Sequence, residues 1–132
     1  MRSQESNEAM PRILIIDDDD HIRSILRQFL EMKGYDVDDA DDGNVGIARY
    51  RQNPADLVIT DVLMPGKEGI ETIRDLRRDF PAVKIIAISG GGQLGPETYL
   101  HLAEALGARK IFTKPFALNE FLQGVEDVLE AS

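Results

Sequence analysis

Five polar side chains in this sequence each follow a short apolar or β-branched run directly. They are Asp17 and Asp18 after residues 12–16, Asp61 after 57–60, Ser89 after 83–88 and Lys114 after 110–113. Three carboxylates in one place repel one another, and a hard divalent cation with oxygen ligands, above all magnesium, relieves that repulsion. A carboxylate nucleophile, magnesium, a lysine and a hydroxyl together indicate phosphoryl transfer onto an aspartate.

These side chains can meet only if the runs that precede them are parallel strands of one sheet. Strand-like runs alternate five times with segments whose apolar residues recur at helical spacing; the second run, over 35–40, is more polar than the others and is predicted to lie near an edge of the sheet. The alternation predicts an α/β fold with a parallel sheet, right-handed crossovers and helices on both faces. The carboxyl ends of parallel strands lie along one rim, where such folds bind their ligands. We therefore expect the five side chains at that rim.

Local signals give more detailed expectations for three of the helices. Asp19 and Asp20 are interpreted as favourable charges at the N-terminus of the first helix. A helix over about 43–52 is predicted to turn Val45, Ile47 and Ala48 inward. Asn119 is the predicted N-cap of the last helix.

Composition restricts the classes of partner and site. The chain has 15 basic and 24 acidic residues, and its formal net charge of -9 argues against direct binding of nucleic acid or an anionic membrane. It has no cysteine, which excludes disulfides, thiol catalysis and thiolate zinc sites. Its apolar runs are too short to span a bilayer. Residues 1–10 lack the hydrophobic segment of a signal peptide, so we expect a flexible tail there, one domain over 11–132 and a cytoplasmic protein.

Several other polar residues are interpreted without a functional role. The four aspartates between residues 38 and 42 are predicted to form a solvated acidic loop. His21 and His101 are predicted to be exposed on helices and not to bind metal. The glycine-rich segment 90–95 lacks the Gly-Lys-Ser/Thr ending of a P-loop, which disfavours a phosphate cradle. Its glycines predict a flexible loop instead.

The combined pattern resembles a response-regulator receiver domain. The similarity covers about residues 11–131 and is carried by the acidic pair, by Asp61 with Met64-Pro65-Gly66, by Ser89-Gly90 and by Lys114-Pro115-Phe116. The resemblance implies a flavodoxin-like, doubly wound (βα)5 fold whose five parallel strands have the order 2-1-3-4-5. It also implies a single-domain regulator of the kind used in chemotaxis, and we expect no attached output domain.

The resemblance implies a phosphorylation site and a metal site. Asp61 corresponds to the phosphoacceptor, and Asp17 and Asp18 correspond to the acidic pair that binds Mg2+, with Mn2+ as a substitute. Asp61 would be the third side-chain ligand and the carbonyl of Leu63 a backbone ligand. Leu63 and Gly91 occupy the positions that flank the incoming water in relatives. Neither is polar, so we expect an altered lifetime of the phosphorylated state.

The resemblance also implies a switch, from which this sequence departs at one position. Ser89 corresponds to the hydroxyl that follows the phosphoryl group and Lys114 to the lysine that pairs with it, with a cis Lys114–Pro115 peptide expected. The family usually has Tyr or Phe three residues before the lysine, where this chain has Ile111. Phe112 lies one position later and should point to the opposite face of its strand. The aromatic part of the switch is therefore expected to differ.

The function implied is signalling in a two-component system, without enzymatic activity beyond self-phosphorylation and self-dephosphorylation. A sensor histidine kinase or a histidine phosphotransfer protein would donate the phosphoryl group. The added charge of about −1.5 to −2 is expected to change the surface of the fourth helix, fifth strand and fifth helix, which a downstream protein reads, or the group is relayed onward. Two alternatives remain, a phosphorylation-independent binding module and an aspartyl-phosphate hydrolase. The hydrolases usually have a second acid at the position of Leu63.

Overall fold

Five strands and five helices alternate in the computed structural model, which describes residues 10–62, 69–89 and 96–131, with the backbone alone for 96–100. The elements are β1 (Arg12–Ile16), α1 (Asp20–Met32), β2 (Asp36–Ala40), α2 (Gly43–Gln52), β3 (Leu57–Asp61), α3 (Gly69–Asp79), β4 (Ile85–Ser89), α4 (Pro96–Ala105), β5 (Lys110–Thr113) and α5 (Leu118–Glu130). Except for Met10, the predicted N-terminal tail lies outside the described residues. The glycine-rich segment 90–95 lies outside them entirely.

The strands form one parallel sheet in the order β2-β1-β3-β4-β5. Every residue of β3 and β4 is buried, as expected for parallel strands whose two faces are covered by helices. The predicted doubly wound fold and its strand order are confirmed. Because β3 lies between β1 and β4, Asp61 ends a central strand.

Alternate residues of each strand face two separate apolar layers. In β1, Leu14 and Ile16 pack with buried side chains of α2, α3 and α4. Ile13 and Ile15 pack with those of α1 and α5. Burying one such side chain contributes roughly 1.5–3 kcal/mol, so these two layers hold the helices onto the sheet. None of the described helices is long and apolar enough to cross a membrane.

The interpretation of the first helix is confirmed, whereas the inward face predicted for the second is partly wrong. The carboxylate of Asp19 caps α1 by accepting hydrogen bonds from the backbone N–H groups of His21 at 2.9 Å and Ile22 at 3.2 Å. In α2, Ala48 is exposed, while Ile47 and Tyr50 are buried. A stripe with a spacing of three to four residues turns the position after Ile47 toward solvent.

The predicted N-cap of the last helix is wrong. Helix α5 begins at Leu118, and Ala117 occupies the N-cap position without a side-chain hydrogen bond. The backbone N–H of Phe121 donates to the carbonyl of Ala117 at 3.0 Å, which closes the first turn two residues before the predicted start. Asn119 therefore lies within that turn, because the burial of Phe121 against the sheet sets the register of the helix.

The prediction of a solvated acidic loop between residues 38 and 42 is wrong for three of its four aspartates. Asp38 and Asp39 belong to edge strand β2 and lie 3.1 Å from Nη2 of Arg12 and 3.0 Å from Nη1 of Arg27, respectively. Asp42 caps α2 by accepting from the backbone N–H of Val45 at 2.8 Å. These aspartates are held by partners from neighbouring elements, and their charges discourage further strand pairing at this edge.

Candidate functional site

The carboxyl ends of four strands bring the predicted site residues to one rim. Asp61 is the last residue of β3 and Ser89 the last of β4. Asp17 follows β1, and Lys114 follows β5. The backbone N–H of Lys114 donates to the carbonyl of Ser89 at 2.8 Å, which extends the pairing of β4 and β5 up to the site. The parallel register of the strands therefore sets the positions of the backbone atoms that carry these side chains.

Three carboxylates converge at this rim. Oxygens of Asp17, Asp18 and Asp61 all lie within 4.8 Å of one another, the one such acidic group within the described ranges. Asp17 is 1% and Asp61 6% exposed, whereas Asp18 is open to solvent. A donor set made of carboxylate oxygens, with neither thiolate nor imidazole, suits Mg2+. The residues present therefore fit that ion, although Leu63, the expected backbone ligand, lies outside the described residues.

Lys114 supplies positive charge to the two buried acids. Its Nζ donates to Oδ2 of Asp61 at 3.0 Å and to Oδ2 of Asp17 at 3.4 Å. Burial opposes the charge on the lysine, but the hydrogen bond and charge of Asp61, with those of Asp17, outweigh it, and the pKa of Lys114 is raised. The Lys114–Pro115 peptide that leads away from the site is cis, as the resemblance implied.

The charged form of Asp17 is disfavoured by its burial. Burial, together with the charge of Asp61, raises the pKa of Asp17 to about 6. The backbone N–H of Asp19, which donates at 2.9 Å, and the ammonium of Lys114 oppose that increase without cancelling it. Three acids beside one lysine leave an excess of negative charge. An additional cation would therefore stabilise this rim.

Ser89 places a buried hydroxyl at the end of β4. Its side chain is 0% exposed, and its Oγ has no hydrogen-bond partner in the part of the chain that the structure describes. Most buried hydroxyls in proteins do have a partner. In the pairing of β3 with β4, Asp61 lies opposite Ile88. Ser89 is the next residue of β4 and so lies one position closer to the rim. The hydroxyl therefore lies at the same rim as the acidic group.

The two residues considered for the aromatic switch lie on opposite faces of β5, as predicted. Ile111 packs with the layer of α2, α3 and α4. Phe112 packs with the layer of α1 and α5. Phe112 therefore does not replace the missing aromatic ring on the face occupied by Ile111. Gly91, which was expected to flank the incoming water, lies outside the described residues. His21 and His101 are exposed, as predicted.

Two residues that support the site were missed at the level of sequence. Arg23 donates from Nη1 to the backbone carbonyl of Asp17 at 2.7 Å and from Nη2 to Asp20 at 2.6 Å, which holds the segment after β1. The spacing of three residues between Asp20 and Arg23 was a signal for that pair. Gly69 begins α3 against Asp61, whose backbone oxygen a Cβ at position 69 would overlap. No local signal in the sequence indicates this close approach.

Comparison with known proteins identifies a family and several similar sequences. Residues 13–126 match the family model of the response regulator receiver domain. The chain is 36% identical over 123 residues to the regulatory protein VanRB of Enterococcus faecalis, covering 92% of this chain and 53% of VanRB. It is 34% identical over 125 residues to the response regulator receiver protein CpdR of Brucella abortus, covering 93% of this chain and 100% of CpdR.

Solved structures are similar over nearly the same part of the chain. The response regulator TrrA from Thermotoga maritima, in complex with Mg2+ and BeF, has 29% sequence identity and a TM-score of 0.80. That match covers 90% of this chain and 99% of TrrA. Among the curated relatives, the chain spans about half the length of VanRB and of other transcriptional regulators, and nearly the whole length of CpdR and of CheY from Halobacterium salinarum.

Proposed function

The chain belongs to the response-regulator receiver family, whose members signal by phosphorylation in two-component systems, and we propose that Asp61 is the residue that accepts the phosphoryl group. The observation that carries this proposal is the 3.0 Å contact between Nζ of Lys114 and Oδ2 of Asp61 within a group of three carboxylates. Receiver domains act as phosphoacceptor signalling domains and not as conventional enzymes. The histidine of a kinase or phosphotransfer protein is the donor that this chemistry requires.

The transfer uses a carboxylate oxygen of Asp61 as the nucleophile. That oxygen forms a bond to phosphorus while the bond between phosphorus and the donor's histidine nitrogen breaks, and the nitrogen keeps the bonding electron pair. Lys114 exchanges its contact with Asp61 for one with a phosphoryl oxygen, and its positive charge stabilises the charge on the transferring group. The acyl phosphate on Asp61 is the product.

Asp17, Asp18 and Asp61 are the side chains that would hold Mg2+. When bound, that ion supplies positive charge that offsets the charge of the carboxylates and of the phosphoryl group. The complex of TrrA with Mg2+ and BeF supports the assignment, because TrrA has the same fold over 90% of this chain. Burial, together with the charge of Asp61, raises the pKa of Asp17, and a cation bound beside that carboxylate would oppose the increase.

Ser89 is the residue that responds to the new phosphoryl group. Its buried Oγ, without a partner in the described part of the chain, can donate a hydrogen bond to a phosphoryl oxygen. When the Ser89 side chain moves toward that oxygen, it displaces the end of β4. The next element of the chain after β4 is α4. The surface of α4, β5 and α5 then differs between the two states and is read by a downstream protein, or the group is passed to a second phosphotransfer protein.

The test is the intact mass of the protein after incubation with acetyl phosphate, with and without Mg2+, beside an Asp61→Asn control. One magnesium-dependent phosphoryl adduct that is absent from the control is the expected result. No adduct under any condition would overturn the proposal and favour a phosphorylation-independent binding module. Continuous turnover of phosphate monoesters would favour a hydrolase instead.

A further inference from the structure

Three phenylalanine rings pack together on the face of the sheet that carries α1 and α5. The ring centroids of Phe112 and Phe116 lie 5.5 Å apart, those of Phe112 and Phe121 5.4 Å apart, and those of Phe116 and Phe121 5.1 Å apart. The rings come from β5, from the segment after Lys114 and from α5. This cluster of three rings therefore joins the strand that precedes the site lysine to the last helix.

Gly124 of α5 fits against the ring of Phe112. A Cβ at position 124 would lie 2.6 Å from Cζ and 3.0 Å from Cε2 of that ring. Carbon atoms do not approach so closely without displacement, so any larger residue at position 124 would move the ring or the helix. Gly124 is buried, and a glycine inside a helix costs roughly 1 kcal/mol relative to alanine. The close fit against Phe112 explains why a glycine occupies this position in spite of that cost.

The cluster is also connected to the site through Phe116. Phe116 is the second residue after Lys114, whose ammonium contacts both buried acids. Lys114, Pro115 and Phe116 line one side of a cavity of about 460 Å³, and α1 contributes Ile22 and Ile25 to the other. The cavity leaves space beside the ring of Phe116. The ring of Phe116 can therefore move into this space when the backbone at Lys114 moves.

From these contacts we propose that Phe112 is a positioning residue for Lys114, and that the ring cluster transmits a displacement of Lys114 to α5 through Gly124. Pairing with Ile88 of β4 fixes the backbone of Phe112, so its ring is the anchored member of the cluster. Close-packed groups move from one arrangement to another and do not deform continuously. The transmission to α5 rests on the proposed phosphorylation of Asp61, whereas the positioning of Lys114 does not.

The first experiment uses Mg2+ alone and so is independent of phosphorylation. Phe112→Leu, Gly124→Ala and the double variant are compared with the unchanged protein by titration with Mg2+. Each single change should loosen the hold of Lys114 on the two acids and raise the Mg2+ affinity about threefold, because the ammonium competes with the ion for the same carboxylates. Gly124→Ala should have a clearly smaller effect when residue 112 is leucine, since the smaller side chain leaves room for the new methyl group.

Val128→Ala is the matched control, because Val128 is a buried residue of the same layer one turn farther along α5. It should lower stability and leave the Mg2+ affinity unchanged. If Phe112→Leu behaves in the same way, the cluster is only structural and the positioning proposal is wrong. If Gly124→Ala does not fold, the Mg2+ affinities of Phe112→Leu and Val128→Ala still test whether Phe112 positions Lys114.

A second experiment tests the transmission to α5. Hydrogen exchange of the α5 amides near Gly124 is measured with and without Mg2+ and beryllofluoride, the probe for the phosphorylated state. A change in protection is expected in the unchanged protein and in Val128→Ala, and its loss is expected in Phe112→Leu. An equal change in all three proteins would exclude transmission through Phe112. Absence of a phosphoryl adduct in the unchanged protein would contradict the proposed function but leave the Mg2+ result decisive for the positioning of Lys114.

Discussion

The ammonium of Lys114 lies 3.0 Å from Oδ2 of Asp61, although 53 residues separate the two in the chain. The same ammonium lies 3.4 Å from Oδ2 of Asp17. One cation is thus shared by two buried acids, and the electrostatics of the site depend on whether a second cation joins it.

Replacing Lys114 with methionine should destabilise the metal-free protein by about 1–3 kcal/mol. The change leaves Asp17 and Asp61 buried beside each other without their shared cation. Saturating Mg2+ should restore most of the loss, since a ligand that binds the folded state stabilises it. Urea unfolding with and without Mg2+ measures both effects. Lys110→Met is the control, because Lys110 is exposed and pairs with Asp127 only at 3.9 Å. A loss that Mg2+ does not reduce would contradict the prediction.

Replacing Asp17 with asparagine should stabilise the metal-free protein at neutral pH and have little effect near pH 4. The pKa of Asp17 is about 6 in the folded state and 3.8 in its unperturbed form. Since folding favours the protonated form, ionised Asp17 costs stability above about pH 6, and that cost disappears as the pH falls toward 4. The expected gain at pH 7.5 is roughly 3 kcal/mol.

Unfolding free energies of the two proteins between pH 4 and 8 test this dependence. Asp36→Asn provides the control, because the side chain of Asp36 is exposed at the far end of the neighbouring strand. Its effect on the unfolding free energy should be small. A stability difference for Asp17→Asn that grows as the pH falls would have the wrong sign.

Replacing Ser89 with alanine should separate stability from phosphorylation. Its Oγ is buried without a partner in the described part of the chain, so loss of the hydroxyl should leave stability unchanged or raise it by up to about 1 kcal/mol. The rate of adduct formation with acetyl phosphate should fall on the order of tenfold, since one donor to the phosphoryl oxygens is lost. Ser89→Thr keeps the hydroxyl and should retain most of the rate. An unchanged rate in the alanine variant would remove Ser89 from the mechanism.

Replacing Arg23 with alanine should weaken Mg2+ binding by about tenfold, in the range found for residues that hold metal ligands in place. Arg23 donates to the carbonyl of Asp17 at 2.7 Å and so orients the segment that carries the acidic pair. Arg27→Ala is the comparison, because Arg27 lies one turn farther along α1 and pairs with Glu31 of the same helix and Asp39 of β2. Equal losses in both variants would show that general surface charge, and not the orientation of Asp17, determines the affinity.

Much of the fold could be predicted because its signals are local. Four of the five strands, all except β2, are short apolar or β-branched runs, and a polar residue ends each of them or follows it directly in the sequence. The parallel arrangement then places Asp17, Asp61, Ser89 and Lys114 at one rim without any further information. The prediction that Ile111 and Phe112 face opposite layers succeeded for the same reason, because the alternation along a strand is strict.

The features that were missed depend on partners distant in the chain. Asp38 is predicted to be solvated until Arg12, 26 positions earlier, is placed beside it. The start of α5 is decided by the burial of Phe121 and not by the capping preference of Asn119. The fit of Gly124 against Phe112 likewise exists only once the helix and the strand are packed together. Composition and periodicity do not contain such relationships.

The wide separation of the site residues along the chain has a consequence for biosynthesis. Asp17 and Lys114 are 97 positions apart, and a chain is synthesised from its N-terminus at about 5–20 residues per second. Both buried acids have therefore left the peptidyl-transferase centre several seconds before Lys114 is added. Any nascent chain that pairs β1 with β3 in that interval holds the two carboxylates together without the ammonium that lies between them in the finished protein. Mg2+ bound by these two carboxylates would take the place of the missing ammonium and would favour the assembly of the first half of the site.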